Sequence, residues 1–335
     1  MRDTGTDDPR VRIRPPRRGS RPRTKRRPDY SDAPEAICYR VDRGRYQLRL
    51  GDRDLVAVTA RELGRGAVVV GDKVKVVGDL SGKEGSLARI VAVTERTTAL
   101  RRSAEEGESA RTERVIVANA DQLLITAALA QPEPRPGMID RCLVAAYDAG
   151  MEPILVLTKA DLAEPDELLA RYAGLGLRVL TTSMEPPSGI EDVAALLPGH
   201  SSVLIGHSGV GKSTLINALI PDADRATGGV NEVTGRGRHT SSSAIAFDVP
   251  GGGIIIDTPG VRSFGLAHVE DADIIGAFPD LAELSTFCPR GCDHNAGADC
   301  ALDEGDPERV ASLRRLLGAR EEPAEANEEH RPRLV

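Results

Sequence analysis

The pattern of hydrophobic positions is β-like from Ala36 to about Thr98. Five short segments rich in Val, Ile and Leu are separated there by Gly-Asp, Gly-Arg and Ser-Gly turns, which is typical of a small antiparallel barrel. So many strands in so short a region favour an OB-fold. The segments are AICYRV, RYQLRL, LVAVTA, AVVVGDKVKVV and LARIVAVTE.

The pattern changes after a charged stretch with few apolar residues, Leu100–Thr112, which we interpret as a linker. Beyond it, near-continuous apolar runs alternate with amphipathic helices. This alternation predicts a parallel α/β sheet that is covered on both faces. The predicted strands are QLLITAAL, PILVLT, RVLTTS, SVLIG, AIAFDV and GIIIDT, and the predicted helices span 138–149, 166–172, 190–197, 212–219 and 307–317.

These changes of pattern divide the chain into six predicted parts. They are a basic disordered arm (1–34), the OB-fold (35–99), the linker (100–112), an α/β domain (113–270), a small C-terminal domain (271–318) and a charged tail (319–335).

The charge is distributed unevenly between the arm and the rest of the chain. Residues 1–28 carry 11 Lys and Arg against 3 Asp, whereas the whole chain has a net charge of −7. A basic arm on an acidic body suggests a polyanionic partner such as RNA, although a solubilising tail would have the same composition. The same segment lacks the apolar run of a signal peptide, and the five cysteines do not suggest a disulfide scaffold. We therefore expect a cytoplasmic protein without a membrane segment.

The sequence GHSGVGKST, between a predicted strand and a predicted helix, has the spacing of a phosphate-binding loop. Its glycines allow backbone N–H groups to surround phosphate oxygens, and the following helix adds its dipole. The lysine reaches the β- and γ-phosphates, and the serine hydroxyl is a ligand for Mg²⁺. The predicted nucleotide-binding residues are Gly206, His207, Ser208, Gly209, Val210, Gly211, Lys212, Ser213 and Thr214.

A second element, DTPG, follows the apolar strand GIIID and predicts the rest of the magnesium site. Asp257 ends that strand, where a carboxylate holds Mg²⁺, usually through water. Gly260 is positioned to donate its N–H to a γ-phosphate. Between the two elements, GRGRHTSSS (Gly235–Ser243) fits a switch segment in which the hydroxyl of Thr240 closes on the metal.

The base is predicted from TKAD (Thr158, Lys159, Ala160 and Asp161), which follows the strand PILVL. A carboxylate at Asp161 accepts both N1–H and N2–H₂ of guanine, a donor pair that adenine lacks. We therefore expect GTP, with ATP as the alternative. The segment TSM, which includes Ser183, ends the next strand and is placed to make backbone contacts with the base.

A cluster of three cysteines and one histidine lies within 13 residues near the C-terminus. Cys288, Cys292, His294 and Cys300 suit a tetrahedral structural Zn²⁺, since four protein ligands leave no open position. Cys38 and Cys142 lie in apolar contexts and are predicted to be buried small hydrophobes.

Together these motifs resemble one family, the circularly permuted GTPases of the RsgA/YjeQ type, which act in maturation of the small ribosomal subunit. TKAD and TSM precede GHSGVGKST, GRGRHTSSS and DTPGVRSFGL, and this order is the signature of that family. VVVGDKV resembles its OB domain, ANADQ and IDR the start of its GTPase domain, and CPRGCDHNAGADC its zinc module. The resemblance covers nearly the whole chain after residue 35.

The chain departs from the family pattern at several positions. Thr158 replaces the usual Asn, so we expect weaker base binding, and tighter GDP binding after Thr158→Asn. The first interval of the zinc motif is one residue shorter. Val261 stands where many GTPases place a glutamine that orients water. The resemblance makes His239 the substitute, although a loop histidine is equally compatible with a ribosome contact or a solvated side chain.

The resemblance implies a GTPase stimulated by the 30S subunit that contacts 16S rRNA late in subunit assembly. It also implies Mg²⁺ with GTP and one structural Zn²⁺, and we expect a monomer. Two alternatives remain: a GTP-controlled RNA-binding scaffold with little hydrolysis, and a GTPase that acts on another ribonucleoprotein.

Overall fold

The computed structural model describes residues 29–64, 66–102, 114–220, 244–258, 264, 266, 268–295 and 299–321. Most of the predicted arm and linker, the predicted switch segment 235–243 and the chain beyond residue 321 lie outside these residues. No described helix combines the length and the apolar character needed to cross a bilayer.

The first β-rich region is a closed five-stranded barrel. Its strands are β1 (Glu35–Asp42), β2 (Arg45–Leu50), β3 (Arg53–Thr59), β4 (Lys73–Gly78) and β5 (Ala88–Val93). They pair in the order β1-β2-β3-β5-β4-β1, with only the β3–β5 pair parallel. Alternate side chains, including Cys38, Leu48 and Ile90, fill its interior. The predicted OB-fold is confirmed.

The segment AVVVGDKVKVV is a strand only in its second half. Gly71, with φ +87°, turns the chain before β4, and a Cβ at this position would lie 2.0 Å from the carbonyl oxygen of Ala118. Val70 instead bridges Val117. The break at Gly71 therefore brings the barrel against the next part of the chain.

The start of the predicted linker is a strand, so the linker prediction was wrong for residues 100–102. β6 (Ala99–Arg102) pairs antiparallel with β7 (Arg114–Ala118). Leu100 is buried in the largest hydrophobic core, called the main core below, which also contains Leu143 and Leu313. Its burial stabilises this strand although charged residues surround it. Residues 103–113 lie outside the described part of the chain.

The central domain is a six-stranded sheet with helices on both faces. Its elements are β8 (Gln122–Ala128), α1 (Pro136–Asp148), β9 (Glu152–Thr158), α2 (Asp166–Tyr172), β10 (Arg178–Thr181), β11 (Ser183–Met184), β12 (Pro187–Ser188), α3 (Ile190–Leu196), β13 (Ser201–Ile205), α4 (Lys212–Leu219), β14 (Ile245–Asp248) and β15 (Ile254–Asp257). The strand order is β10-β9-β8-β13-β15-β14. All pairs are parallel except β14–β15, and β11 and β12 form a separate short hairpin.

The strands of this sheet are buried because their side chains pack into two cores, one on each face. Leu123 and Ile125 of β8 face the core that contains Leu143 of α1, whereas Leu124 faces the core that contains Leu215 of α4. This double burial is the reason that these strands have near-continuous apolar sequences. The barrel joins the far edge of the sheet through β1 and β14, where Arg40 pairs with Ile245.

The C-terminal region adds α5 (Asp271–Gly276), α6 (Pro279–Ser285) and α7 (Pro307–Glu321). Leu281 of α6 and Leu313 of α7 belong to the same core as Ile139 of α1, so the described helices of this region share their core with the sheet. The helix predicted to end at Leu317 continues to Glu321, because Ala319 is still buried. The predicted tail therefore begins inside a helix.

Candidate functional site

The phosphate loop connects the central strand β13 to α4, as the sequence predicts. Gly206 passes so close to β8 that a Cβ would lie 2.3 Å from the carbonyl oxygen of Thr126. Gly211 has φ +97° and immediately precedes α4. Both positions require glycine, for lack of space at the first and for backbone conformation at the second. The loop therefore opens at the carboxyl end of the sheet, where α/β proteins bind nucleotides.

Lys212 places its ammonium group inside the loop. It donates hydrogen bonds to the carbonyl oxygens of Gly206 and His207, the latter at 3.0 Å. Burial lowers the pKa of Lys212, and the nearby charge of Asp257 acts in the opposite direction. A partly buried ammonium group that is held by main-chain acceptors in this position is suited to bind anionic phosphate oxygens.

Asp257 lies at the carboxyl end of the sheet, beside this loop. It is the last residue of β15 and is in register with Leu204 of the adjacent parallel strand β13. The following residue, Thr258, donates its hydroxyl to the carbonyl oxygen of Leu204 at 2.9 Å, which fixes this strand end. Ser213 lies in the first turn of α4 and is exposed. The side chains of Ser213 and Asp257 both carry oxygen atoms of the kind that Mg²⁺ prefers as ligands.

TKAD, the motif predicted to bind the base and called the base-reading motif below, lies beside TSM because β9 and β10 are adjacent parallel strands. The hydroxyl of Ser183 donates to Oδ1 of Asp161 at 2.7 Å. The backbone N–H of Ala160 donates to the carbonyl oxygen of Thr182 at 3.1 Å. Ser183 therefore orients the carboxylate that is predicted to select guanine, a side-chain role in addition to the backbone contacts expected from the sequence.

Thr158 contacts the phosphate loop. Its side chain is 5% exposed, and its hydroxyl donates to the carbonyl oxygen of Val210 at 2.5 Å. The sequence alone does not indicate this partner. β9 is separated from β13 by β8, so the contact could be inferred only from strand order.

Lys159 contacts a loop that was not predicted from the sequence to belong to the site. Its ammonium group donates to the carbonyl oxygen of Gln131, in the connection between β8 and α1. A Cβ on Gly209 would lie 3.7 Å from Pro132 of the same connection. The connection thus lies against both the base-reading motif and the phosphate loop. The closely spaced prolines of QPEPRP are the feature of the sequence that could have marked it.

The four predicted zinc ligands converge on one point. The ligand atoms of Cys288, Cys292, His294 and Cys300 all lie within 4.8 Å of one another. In a zinc tetrahedron with bonds of about 2.3 Å, two sulfur ligands are separated by about 3.8 Å. The Sγ of Cys288 is 3.6 Å from Nδ1 of His294, which agrees with such a site. The three thiols and one imidazole fit a structural Zn²⁺, despite the shortened first interval.

The zinc motif is attached to α7. Arg314 donates its Nε–H to the carbonyl oxygen of His294 at 2.8 Å and forms an ion pair with Asp303. The backbone N–H of His294 in turn donates to Sγ of Cys292 at 3.4 Å. These contacts preorganise the ligand loop on the helix.

Three of the predicted site residues, His239, Thr240 and Gly260, lie outside the described residues. The two other predicted cysteines are buried as expected. Burial raises the pKa of the Cys38 and Cys142 thiols to about 12. Neither has the electropositive, accessible environment of a reactive cysteine.

Comparisons with known proteins agree with this architecture. Residues 93–267 match the family model described as RsgA GTPase. The small ribosomal subunit biogenesis GTPase RsgA of Azotobacter vinelandii is 41% identical over 270 residues, which are 77% of this chain and 76% of that protein. The protein of the same name from Pseudomonas syringae pv. tomato is 42% identical over 266 residues, 76% of this chain and 75% of the relative.

Two solved structures share the fold. The crystal structure of YjeQ from Thermotoga maritima has a TM-score of 0.63 and 23% identity, and covers 85% of this chain and 98% of its own. The crystal structure of YloQ, a circularly permuted GTPase, has a TM-score of 0.61 and 22% identity, and covers 87% and 96% of the two chains. With this architecture and these sequence relatives, the chain belongs to the RsgA GTPase family.

Proposed function

We propose that this protein hydrolyses GTP in the biogenesis of the small ribosomal subunit, and that the 30S subunit stimulates the reaction. The observation that carries the proposal is the arrangement at the carboxyl end of the sheet. The phosphate loop follows β13, Asp257 ends the adjacent strand β15, and the Asp161–Ser183 pair lies beyond the strands β9 and β10. The relatives that are named as small ribosomal subunit biogenesis GTPases support the choice of partner.

The residues around the phosphate loop have separate proposed roles in phosphoryl transfer. Lys212 and the N-terminus of α4 bind the β- and γ-phosphates, and Asp161 selects guanine. Ser213, Asp257 and Thr240 would hold Mg²⁺, which would neutralise the charge that develops on the phosphate oxygens. Val261 has no polar group with which to orient water. We assign this role to His239, whose imidazole both donates and accepts hydrogen bonds.

The barrel and the arm are the proposed contacts with 16S rRNA. Neither tyrosine of the barrel is free to stack on a base. Tyr46 is 3% exposed, and Tyr39 donates its hydroxyl to Asp248 while its ring lies under Arg49 at 5.0 Å. This supports recognition of the RNA backbone and its shape rather than stacking on bases. We propose a monomer in the cytoplasm, where the partner particle is assembled, with one structural Zn²⁺ in the C-terminal motif.

Turnover of GTP with and without purified 30S subunits tests the proposal. We expect the rate to rise with 30S subunits and to stay at the intrinsic level with 50S subunits, with co-sedimentation following the same preference. GTP-dependent binding to 30S without added turnover would identify the protein as a GTP-controlled scaffold. A preference for another particle would overturn the assignment of the partner.

The role of His239 is tested separately by His239→Ala. We expect 30S-stimulated turnover to be lost while GDP affinity is retained, because the side chain acts on water rather than on the nucleotide. An unchanged stimulated kcat would mean that the imidazole does not take part in hydrolysis.

A further inference from the structure

A buried arginine on α1 joins two distant segments of the chain. Arg141 is 8% exposed, and its guanidinium donates to the carbonyl oxygen of Phe264 through Nη2 at 2.8 Å and through Nε at 3.2 Å. Through Nη1 it also donates to the carbonyl oxygen of Ala319 at 3.2 Å. Burying this charge is tolerable only because such acceptors surround it. One rigid group is therefore hydrogen-bonded to both segments.

Each segment leads to a different functional part of the molecule. Phe264 lies seven residues after the magnesium residue Asp257, beyond DTPG, and is buried in the main core. Ala319 lies in α7, the helix whose Arg314 holds the zinc motif through His294. The planar fork of arginine has fixed donor directions, so its bonds to the two carbonyls cannot adjust independently. A shift of the chain at Phe264 would therefore change the hydrogen bond between Arg141 and Ala319 of α7.

The preceding residue provides a contrast within the same helix. Asp140 is also buried and also reaches α7, through Arg315 at 3.2 Å, and it lies 3.6 Å from Arg171. Within the described part of the chain, these ion pairs link Asp140 to α7 and α2 rather than to Phe264. Asp140 thus contributes to the docking of α7 on α1 without bonding the segment that comes after the magnesium residue.

We propose that Arg141 is a positioning residue that couples the nucleotide site to the C-terminal helices and the zinc motif. The proposal rests on the proposed function, in that exchange of the nucleotide at the magnesium site would displace Phe264, seven residues after Asp257. A particle that contacts the C-terminal region would then affect hydrolysis through α7 and Arg141.

Arg141→Lys tests the coupling, with Asp140→Asn as the matched control. Lysine keeps the positive charge but cannot bond both carbonyls with the same geometry. We expect Arg141→Lys to leave GDP affinity and intrinsic turnover within about twofold of wild type, and to reduce stimulation by 30S subunits about fivefold or more. Asp140→Asn should retain the stimulation. Equal losses in the two variants, or none in Arg141→Lys, would overturn the proposal.

Hydrogen exchange tests the coupling without any partner. In the wild type we expect the amides of α7 to exchange at different rates with GDP and with a non-hydrolysable GTP analogue, and we expect Arg141→Lys to abolish the difference. A purely structural arginine would lower Tm but keep the nucleotide dependence, and that result would reject the coupling. If Arg141→Lys does not fold, equal α7 exchange of the wild type with the two nucleotides would reject it equally. Absence of 30S stimulation in the wild type would instead contradict the proposed partner.

Discussion

Removing the hydroxyl of Thr158 separates support of the phosphate loop from recognition of the base. Thr158→Val preserves the shape of a side chain that is 5% exposed, and removes its hydrogen bond to the carbonyl oxygen of Val210. A neutral hydrogen bond contributes about 1 kcal/mol, and a buried carbonyl that loses its donor costs up to about 2 kcal/mol more. Because Val210 is itself 4% exposed, water does not readily replace the donor.

We expect GDP and GTP to bind more weakly by the same factor. If ordering the loop again on binding costs about 1 kcal/mol, both dissociation constants rise at least about fivefold. The preference for GDP over inosine diphosphate should not change. Inosine lacks the 2-amino group, so this preference reports on Asp161, which Thr158 does not touch in the described contacts. Dissociation constants of fluorescent guanosine and inosine diphosphates and triphosphates measure both quantities.

Thr158→Ser is the control, because it retains the hydroxyl and should bind nucleotide more tightly than the valine variant. Thr158→Asn tests the opposite direction: its amide can donate to Val210 while its oxygen accepts, and the sequence predicts tighter GDP binding. If Thr158→Val alters the guanine-to-inosine ratio, or leaves GDP affinity at the wild-type value, the assignment of Thr158 to the phosphate loop is wrong.

Three further predictions concern the base, the lysine and the metal. Asp161→Asn should weaken GDP binding by about two orders of magnitude and favour xanthosine diphosphate, and retained guanine preference in a competition assay would contradict this. GDP affinity should fall as pH rises toward the ordinary pKa of lysine, because burial lowers the pKa of Lys212 and bound phosphates restore its charge. Calorimetry in buffers of different ionisation heat should then show proton uptake on binding, and its absence would refute the linkage. Purified protein should contain one zinc per chain, and chelation should lower Tm and expose three thiols. Cys38 and Cys142, with pKa values raised to about 12, should react only after unfolding; five reactive thiols in the folded protein would contradict this.

Local patterns in the sequence were sufficient wherever a motif and its flanking strand lie together. The phosphate loop, TKAD and DTPG each follow an apolar run, so the rule that ligands bind at the carboxyl ends of parallel strands predicts their meeting. The zinc ligands lie within 13 residues and required no tertiary information. The OB-fold followed from five short strands with turn residues between them.

Contacts between residues that are far apart in the sequence could not be predicted from local patterns. The linker prediction failed at Leu100 because a charged segment is held as a strand by β7, whose own apolar run was not recognised. Arg141 appeared in the sequence as part of a family motif, but its acceptors lie 123 and 178 residues away. Main-chain carbonyls are present at every residue, so no residue type in the sequence marks them as the partners of a buried arginine.

The permuted order of the chain gives these long-range contacts a functional meaning. The ends of β13, β15, β9 and β10 are brought together by strand pairing, so the order in which the chain visits them does not affect the chemistry of the site. The order does decide which elements come after Asp257. Among the described elements, the next helices along the chain are α5 and α6, and these are followed by the zinc motif and α7. The segment proposed to sense the γ-phosphate is therefore covalently continuous with the C-terminal region, and Arg141 adds a second connection to α7. A change at the nucleotide can reach these helices along the chain and through the guanidinium, which is why loss of Arg141 should reduce the coupling and leave nucleotide binding intact.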